Sequence, residues 1–172
     1  MKPETLFTNR LNKRLPQEVY AEKQHNFYRG GTPDFWYSGF KSDLWAEYKW
    51  IKQLPKKEST PIRADLSGLQ TLWLDDALKK GRNVCVIVGS PQGCAILVDG
   101  AWRYELSHAS FLFKEPDVVQ WLIRKLCVPN PISGSDGSSN KLGVQNRSDK
   151  SDHYWSGNRG PQAPEETPDE SD

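Results

Sequence analysis

The run NVCVIVGS at residues 83–90 constrains the fold more than any other segment of this chain. Its residues are almost all apolar, and a second short apolar run, GCAILVDG at 93–100, follows after Pro91 and Gln92. Continuous apolar runs of this length are typical of strands that are buried on both faces of a sheet, with helices covering those faces. The two runs therefore predict an α/β fold around a central sheet.

Three segments have the spacing and the boundary residues of helices. The first begins at Pro3 and ends at Pro16, the second covers 65–81 with Gly81 as its stop, and the third covers 115–127. Apolar residues recur at helical spacing in the first two, at Leu6, Phe7, Leu11 and Leu15 and at Leu66, Leu69, Leu72, Trp73 and Leu78. These residues are expected to face the core.

Three strands are predicted between the first two helices. Residues 18–28 are strand-like, and PDFWYSG at 33–39 and SDLWAEYKWI at 42–51 form a hairpin with a tight turn at Phe40 and Lys41. The predicted order is α-β-β-β-α-β-β-α.

Composition divides the chain into a domain, residues 1–127, and a low-complexity tail, residues 128–172. The tail contains eight Ser, five Gly and five Pro and few aliphatic residues, so it is expected to be disordered. Its four basic and eight acidic residues give −4, whereas 19 basic and 14 acidic residues give the domain +5, which suits a polyanionic partner. In the tail, DHYWSGNR at 152–159 is either a peptide that docks a protein or an incidental aromatic cluster.

Cysteines and apolar segments indicate the compartment. Cys85, Cys94 and Cys127 are too few and too widely spaced for a disulfide framework or a zinc knuckle, which favours free thiols in a reducing environment. No apolar run has the length of a membrane span, and residues 1–15 lack the apolar core of a signal peptide. We expect a cytoplasmic protein without a membrane partner.

The predicted hairpin brings charged side chains together. With the turn centred between residues 40 and 41, Asp34 faces Glu47, and Lys49 shares their face because side chains alternate along a strand. Two facing carboxylates repel each other unless a cation lies between them. We expect a surface patch in which replacing either carboxylate by Ala leaves the hairpin folded.

Two carboxylates at this spacing can hold Mg²⁺, or Mn²⁺, through oxygen ligands and leave positions for water and a phosphate oxygen. Such an ion polarises a phosphodiester and lowers the pKa of its water, while Lys49 can orient that water or neutralise developing charge. The alternative is a solvated strand face with an ordinary alternation of Glu and Lys.

The chain contains TPD at 32–34, then twelve residues, then EYK at 47–49, and S-x-x-Q follows at 67–70. These motifs, in the predicted αβββαβ order, resemble the signature of the PD-(D/E)XK nuclease superfamily. Within it, residues 4–98 look most similar to the VRR-NUC and Holliday-junction-resolvase-like members, which bacteriophages often carry. The resemblance implies a restriction-endonuclease-like fold, in which helices flank a mixed central sheet, and an endonuclease that hydrolyses phosphodiester bonds in DNA with Mg²⁺.

The resemblance also implies roles for individual residues. Asp34 and Glu47 are the implied metal ligands, with the Tyr48 backbone carbonyl, and Lys49 is the implied catalytic lysine. Gln70 is expected to contact the lysine, water or phosphate, whereas Ser67 belongs to the start of the helix. The N-terminal acid that approaches the metal or its waters is Glu4, with Glu18 and Glu22 as alternatives.

Basic residues near the motif are expected to contact the DNA backbone: Arg29, Lys52, Lys56, Lys57 and Arg63. Because no base-reading module accompanies them, selectivity is expected to follow DNA shape, with junction or branched DNA as the substrate. A resolvase needs two active sites, which implies a homodimer. The competing hypothesis is a non-catalytic nucleic-acid or protein-binding module that retains the nuclease fold.

Overall fold

The computed structural model describes residues 1–25 and 30–127. Five strands form one mixed sheet in the order β1 (Tyr20–Lys23), β2 (Phe35–Ser38), β3 (Asp43–Trp50), β4 (Val84–Gly89) and β5 (Cys94–Leu97). Three helices flank it: α1 (Pro3–Asn12), α2 (Gly68–Lys79) and α3 (Glu115–Leu126). The predicted α/β fold and element order are confirmed, and the architecture is consistent with a restriction-endonuclease-like fold. Arg29 and the predicted tail lie outside the described residues.

β4 is an interior strand of the sheet, as its apolar sequence predicts. It pairs in parallel with β3 and antiparallel with β5, and all six of its residues are buried. Cys85 and Ile87 belong to the cluster that α1 and α3 cover, whereas Val86 and Val88 belong to the cluster on the α2 face. The continuous apolar run is therefore explained by burial on both faces.

The first helix and the first strand are shorter than predicted. α1 ends at Asn12 rather than at Pro16, and β1 covers four of the described residues 18–25 of the predicted strand 18–28. β1 lies at the edge of the sheet and pairs antiparallel with β2 alone. Its length is set by the four residues of β2 that it pairs with, which the composition of the segment does not reveal.

The predicted apolar face of the α2 segment is confirmed for Leu66, Trp73 and Leu78, which pack against the core, and wrong for Leu69 and Leu72. Leu69 and Leu72 are 59% and 66% exposed, whereas the buried residues of the helix are Leu74 and Ala77. Gln70, Leu74 and Ala77 are spaced i, i+4 and i+7 and therefore share one helix face. Because Gln70 bonds to Glu47 on β3, this face is the one turned toward the sheet.

None of the helices in residues 1–25 and 30–127 is long and apolar enough to cross a membrane.

Candidate active site

The hairpin of β2 and β3 has the predicted register. Phe35 pairs with Ala46, and Gly39 N–H donates to the Ser42 carbonyl at 3.1 Å across the two-residue turn. β3 continues four residues beyond the last residue that β2 pairs, from Glu47 to Trp50. The candidate site lies along this extension.

Acidic side chains meet the backbone N–H groups on the edge of β3 that β2 leaves open. The N–H groups of Trp45 and Ile51 donate to the carbonyls of Asn83 and Gly89, on the β4 side of the strand. Because N–H groups alternate in direction along a strand, those of residues 48 and 50 face the side on which β2 pairs. Tyr48 N–H donates to Asp34 Oδ2 at 2.9 Å, and the backbone of Trp50 acts to lower the pKa of Glu4, whose carboxylate therefore lies near it. Asp34 and Glu4 are thereby held at the same edge of β3.

The Tyr48 carbonyl, a predicted metal ligand, is directed to this edge as well. The N–H and C=O of one strand residue point to the same side of the strand, and the Tyr48 N–H meets Asp34. The side chain of Tyr48 points into the core, where its hydroxyl lies 2.7 Å from that of Tyr37. The carbonyl is therefore the part of Tyr48 that is available to the site.

Glu47 is buried rather than on the surface, which corrects the expectation of a solvated carboxylate patch. Its side chain is 1% exposed, on the α2 face of the sheet, and Asp34 is half-buried. Lys49 Nζ lies 3.0 Å from Glu47 Oε1, and Gln70 Nε2 donates a hydrogen bond to the same oxygen. The other oxygen, Oε2, is buried without a hydrogen-bond partner among the described residues.

The hydrogen bond that Asp34 accepts also corrects the expectation that Asp34→Ala leaves the stability of the hairpin unchanged. Asp34 accepts the Tyr48 N–H, so Asp34→Ala removes the acceptor of a part-buried backbone donor. An unsatisfied buried donor costs about 1–3 kcal/mol. Asn keeps a side-chain oxygen at this position and is the more conservative change.

Electrostatics couple the three acids and the lysine. Burial, followed by the charge of Asp34, raises the pKa of Glu47 from 4.5 to about 7, although Lys49 acts in the opposite direction. Partial burial and the charge of Asp34 likewise raise the pKa of Glu4. Both shifts mean that this cluster favours protons or another cation more than an isolated carboxylate does.

Gln70 reaches Glu47 from the first turn of α2. Ser67 is the N-cap of that helix, as expected, and forms a capping box with Gln70. In this box the Ser67 N–H donates to Gln70 Oε1 at 2.9 Å, and the Gln70 N–H donates to Ser67 Oγ at 3.2 Å. The protein contact of the Gln70 amide nitrogen is the Glu47 carboxylate, rather than the lysine named in the expectation.

A glycine turn joins the segment carrying Asp34 to the helix carrying Gln70. Gly31 has φ +88°, and a Cβ built on it would lie 2.3 Å from the Leu69 carbonyl oxygen and 2.9 Å from the Gln70 nitrogen. Only glycine allows this conformation and this approach without strain. The GGTPD and S-x-x-Q segments are therefore packed on each other, although 32 residues lie between them in the chain.

Of the three candidate N-terminal acids, Glu4 is the one whose charge acts on Glu47. Glu22 pairs with Trp36 across β1 and β2 and accepts from the Tyr20 hydroxyl at 3.2 Å, and Glu18 is exposed ahead of β1.

Lys23 is a neighbour of the site that the sequence did not indicate. A small cavity of about 40 Å³ is lined by Glu4, Asp34 and Lys23 together with Thr5, Thr8, Asn9 and Phe35. The β1 to β2 pairing that places Lys23 beside Phe35 spans a long connection, so no local pattern predicted it.

The predicted DNA contacts in the loop after β3 are exposed. Lys52, Lys56 and Lys57 have exposed side chains, and Arg63 forms an exposed ion pair with Glu105 at 2.8 Å. Arg63 can therefore bind phosphate only in competition with that carboxylate.

The donor set fits a divalent ion that keeps part of its water shell. Across residues 1–25 and 30–127, no three His, Cys, Asp or Glu side chains are grouped so that they could hold a metal by themselves. Mg²⁺ is commonly held by one or two carboxylates, with waters and substrate phosphate completing the shell. The partnerless Oε2 of Glu47, beside Asp34 and the Tyr48 carbonyl, meets that requirement.

Comparison with known proteins gives a structural likeness. No family model and no curated protein matches the sequence. Among solved structures, the chain is similar to Hjc, a Holliday junction resolvase from the archaeal hyperthermophile Archaeoglobus fulgidus, with a TM-score of 0.46 and 14% sequence identity over 68% of this chain and 98% of that chain. The chemistry proposed below rests on the side chains of the present chain.

Proposed function

We propose that this chain is a metal-dependent endonuclease that hydrolyses phosphodiester bonds in DNA. The carboxylate of Glu47 is the observation that carries the proposal. One of its oxygens is held by Lys49 and Gln70, and the other is buried without a hydrogen-bond partner among the described residues. A buried carboxylate oxygen without a hydrogen bond is costly, and a cation bound at this oxygen would remove that cost.

Asp34 and Glu47 are the residues that would hold Mg²⁺, with Mn²⁺ as an alternative and the Tyr48 carbonyl as a further oxygen ligand. When bound, the ion would polarise the phosphodiester and lower the pKa of a bound water. Glu4, which lies near the Trp50 backbone at the same edge of β3, would accept hydrogen bonds from waters in the ion's shell.

Lys49 supplies the positive charge that contacts Glu47. Its side chain is 20% exposed, so the ammonium reaches both Glu47 and a substrate in solvent. In the reaction it would donate to a phosphoryl oxygen or to the attacking water and stabilise the charge that develops there. Gln70 would keep the Glu47 carboxylate in place during this step.

The proposed substrate is branched DNA, such as a junction or a flap. Lys52, Lys56 and Lys57 are exposed just beyond the end of β3 and would contact phosphates without reading sequence. Arg29 and Arg63 are the remaining proposed contacts. Paired cuts at a junction would require two copies of the chain, so we propose a homodimer as the active form.

Nicking of a supercoiled plasmid tests the proposal. The full chain should convert the plasmid to open circles with Mg²⁺, should stop with EDTA, and should lose this activity in the Asp34→Asn variant, purified in the same way. A folded wild type that binds DNA but leaves both the plasmid and a four-way junction intact would instead identify a non-catalytic binding module.

Substrate choice requires a second assay. Initial rates should be higher on a four-way junction or a flap than on a single strand or a linear duplex of matched sequence, and scrambling the arms should leave the order unchanged. Equal rates on all four would mean a nonspecific nuclease, and dependence on one short sequence would mean a restriction-like enzyme.

A further inference from the structure

The N-terminus of α2 contains a hydrogen bond whose effect extends beyond the helix. Ser67 N–H donates to Gln70 Oε1 at 2.9 Å. A backbone N–H can be met only by an acceptor, so this bond decides which end of the Gln70 amide carries the oxygen. The amide nitrogen is consequently the atom directed at Glu47.

The orientation of this amide matters for Glu47. With the nitrogen forward, Glu47 Oε1 receives hydrogen bonds from both Gln70 and Lys49, while Oε2 has no partner among the described residues. With the amide reversed, the oxygen of Gln70 would face the oxygen of Glu47, and the two acceptors would repel each other. The carboxylate would then lose one of the two donors that hold it with Oε2 free.

We propose that the main-chain N–H of Ser67 positions the metal ligand Glu47, by fixing the Gln70 amide, and thereby sets the metal affinity of the site. The inference rests on the proposed function, in which Glu47 binds the metal. Ser67 and Gln70 are positioning residues in this arrangement, and the S-x-x-Q sequence serves both the helix cap and the metal ligand. Partners that orient metal ligands typically change metal affinity by 10- to 100-fold.

The backbone conformation of Ser67 allows a matched pair of variants. Its φ is −67°, which is the angle that proline imposes. Ser67→Ala removes the hydroxyl cap and keeps the N–H, whereas Ser67→Pro removes both. Comparing the two isolates the N–H that holds Gln70, because the loss of the hydroxyl is common to them.

Mn²⁺ binding is the measurement, by titration calorimetry of the folded full chain at pH 8 without DNA. Ser67→Ala should bind Mn²⁺ within about twofold of wild type, and Ser67→Pro should bind roughly tenfold more weakly, the lower end of the range for such partners. Circular dichroism at the temperature of the titration checks that both variants are folded. Equal Mn²⁺ affinity in the two folded variants would overturn the proposal.

Gln70→Leu covers the case in which Ser67→Pro does not fold. It removes the amide but keeps an apolar side chain of similar size, and it should also bind Mn²⁺ roughly tenfold more weakly. Wild-type affinity in this variant would overturn the proposal as well. Failure of the proposed function would give a different result. In that case wild type would bind no Mn²⁺, or Asp34→Asn would bind Mn²⁺ as tightly as wild type does.

Discussion

Replacing Glu47 by Gln should remove a pH-dependent loss of stability from the metal-free protein. Burial and the charge of Asp34 raise the pKa of Glu47 from 4.5 to about 7. The folded protein therefore binds this proton more tightly than the unfolded chain does, and the free energy of unfolding falls as the pH rises from about 4.5 through about 7. Since one pKa unit corresponds to about 1.4 kcal/mol, the full loss is about 3 kcal/mol.

Urea unfolding in EDTA, followed by tryptophan fluorescence from pH 4.5 to pH 8.5, measures this loss. The substituted amide stays neutral, so the stability of Glu47→Gln relative to wild type should rise by about 3 kcal/mol between the two ends of the range. Taking the difference between the two proteins cancels the groups that do not interact with Glu47, whereas Glu4 and Asp34 do interact with it. Glu18→Gln, at an exposed position, is the matched control and should follow wild type throughout.

A difference between Glu47→Gln and wild type that does not change with pH would refute the reasoning from burial. Adding Mg²⁺ at pH 8 provides an independent check, because an ion bound by the ionised carboxylate stabilises the folded state by mass action. The added Mg²⁺ should stabilise wild type more than the variant.

Three further outcomes are expected from the same structure. Asp34→Asn should stop cleavage while its urea midpoint stays close to that of wild type. Asp34→Ala should stop cleavage and also lose about 1–3 kcal/mol of stability, because the Tyr48 N–H loses its acceptor. An unchanged urea midpoint in the Ala variant would argue against that hydrogen bond. Lys49→Met, which keeps both carboxylates, should still bind Mn²⁺ detectably in calorimetry and lose turnover on plasmid DNA, and full turnover would exclude a catalytic lysine. A chain ending at Cys127 should unfold at the same temperature as the full chain and still nick plasmid, because the described residues of the two core clusters and of the candidate site all precede residue 128; loss of nicking would assign the tail a part in the site.

Local periodicity and turn chemistry were sufficient for the order of the elements and for the register of the hairpin. A two-residue turn pairs positions on either side of it, so the centre between residues 40 and 41 places Phe35 opposite Ala46 in the sequence and in the structure alike. The alternation of side chains along β3 likewise puts Glu47 and Lys49 on one face. Ser67 was recognisable as a helix start because its capping partner is only three residues away.

Burial and long-range contacts were decided by the tertiary structure. Whether Glu47 is solvated or 1% exposed depends on α2 and the Gly31 turn packing over it, and neither contact is local in sequence. The approach of Glu4 depends on α1 lying against the far end of β3. The rotation of α2 depends on the bond from Gln70 to Glu47, which turns Leu69 and Leu72 outward despite their apolar spacing. Sequence spacing indicates which residues lie on one face of a helix or strand, whereas packing between elements determines which neighbour that face contacts.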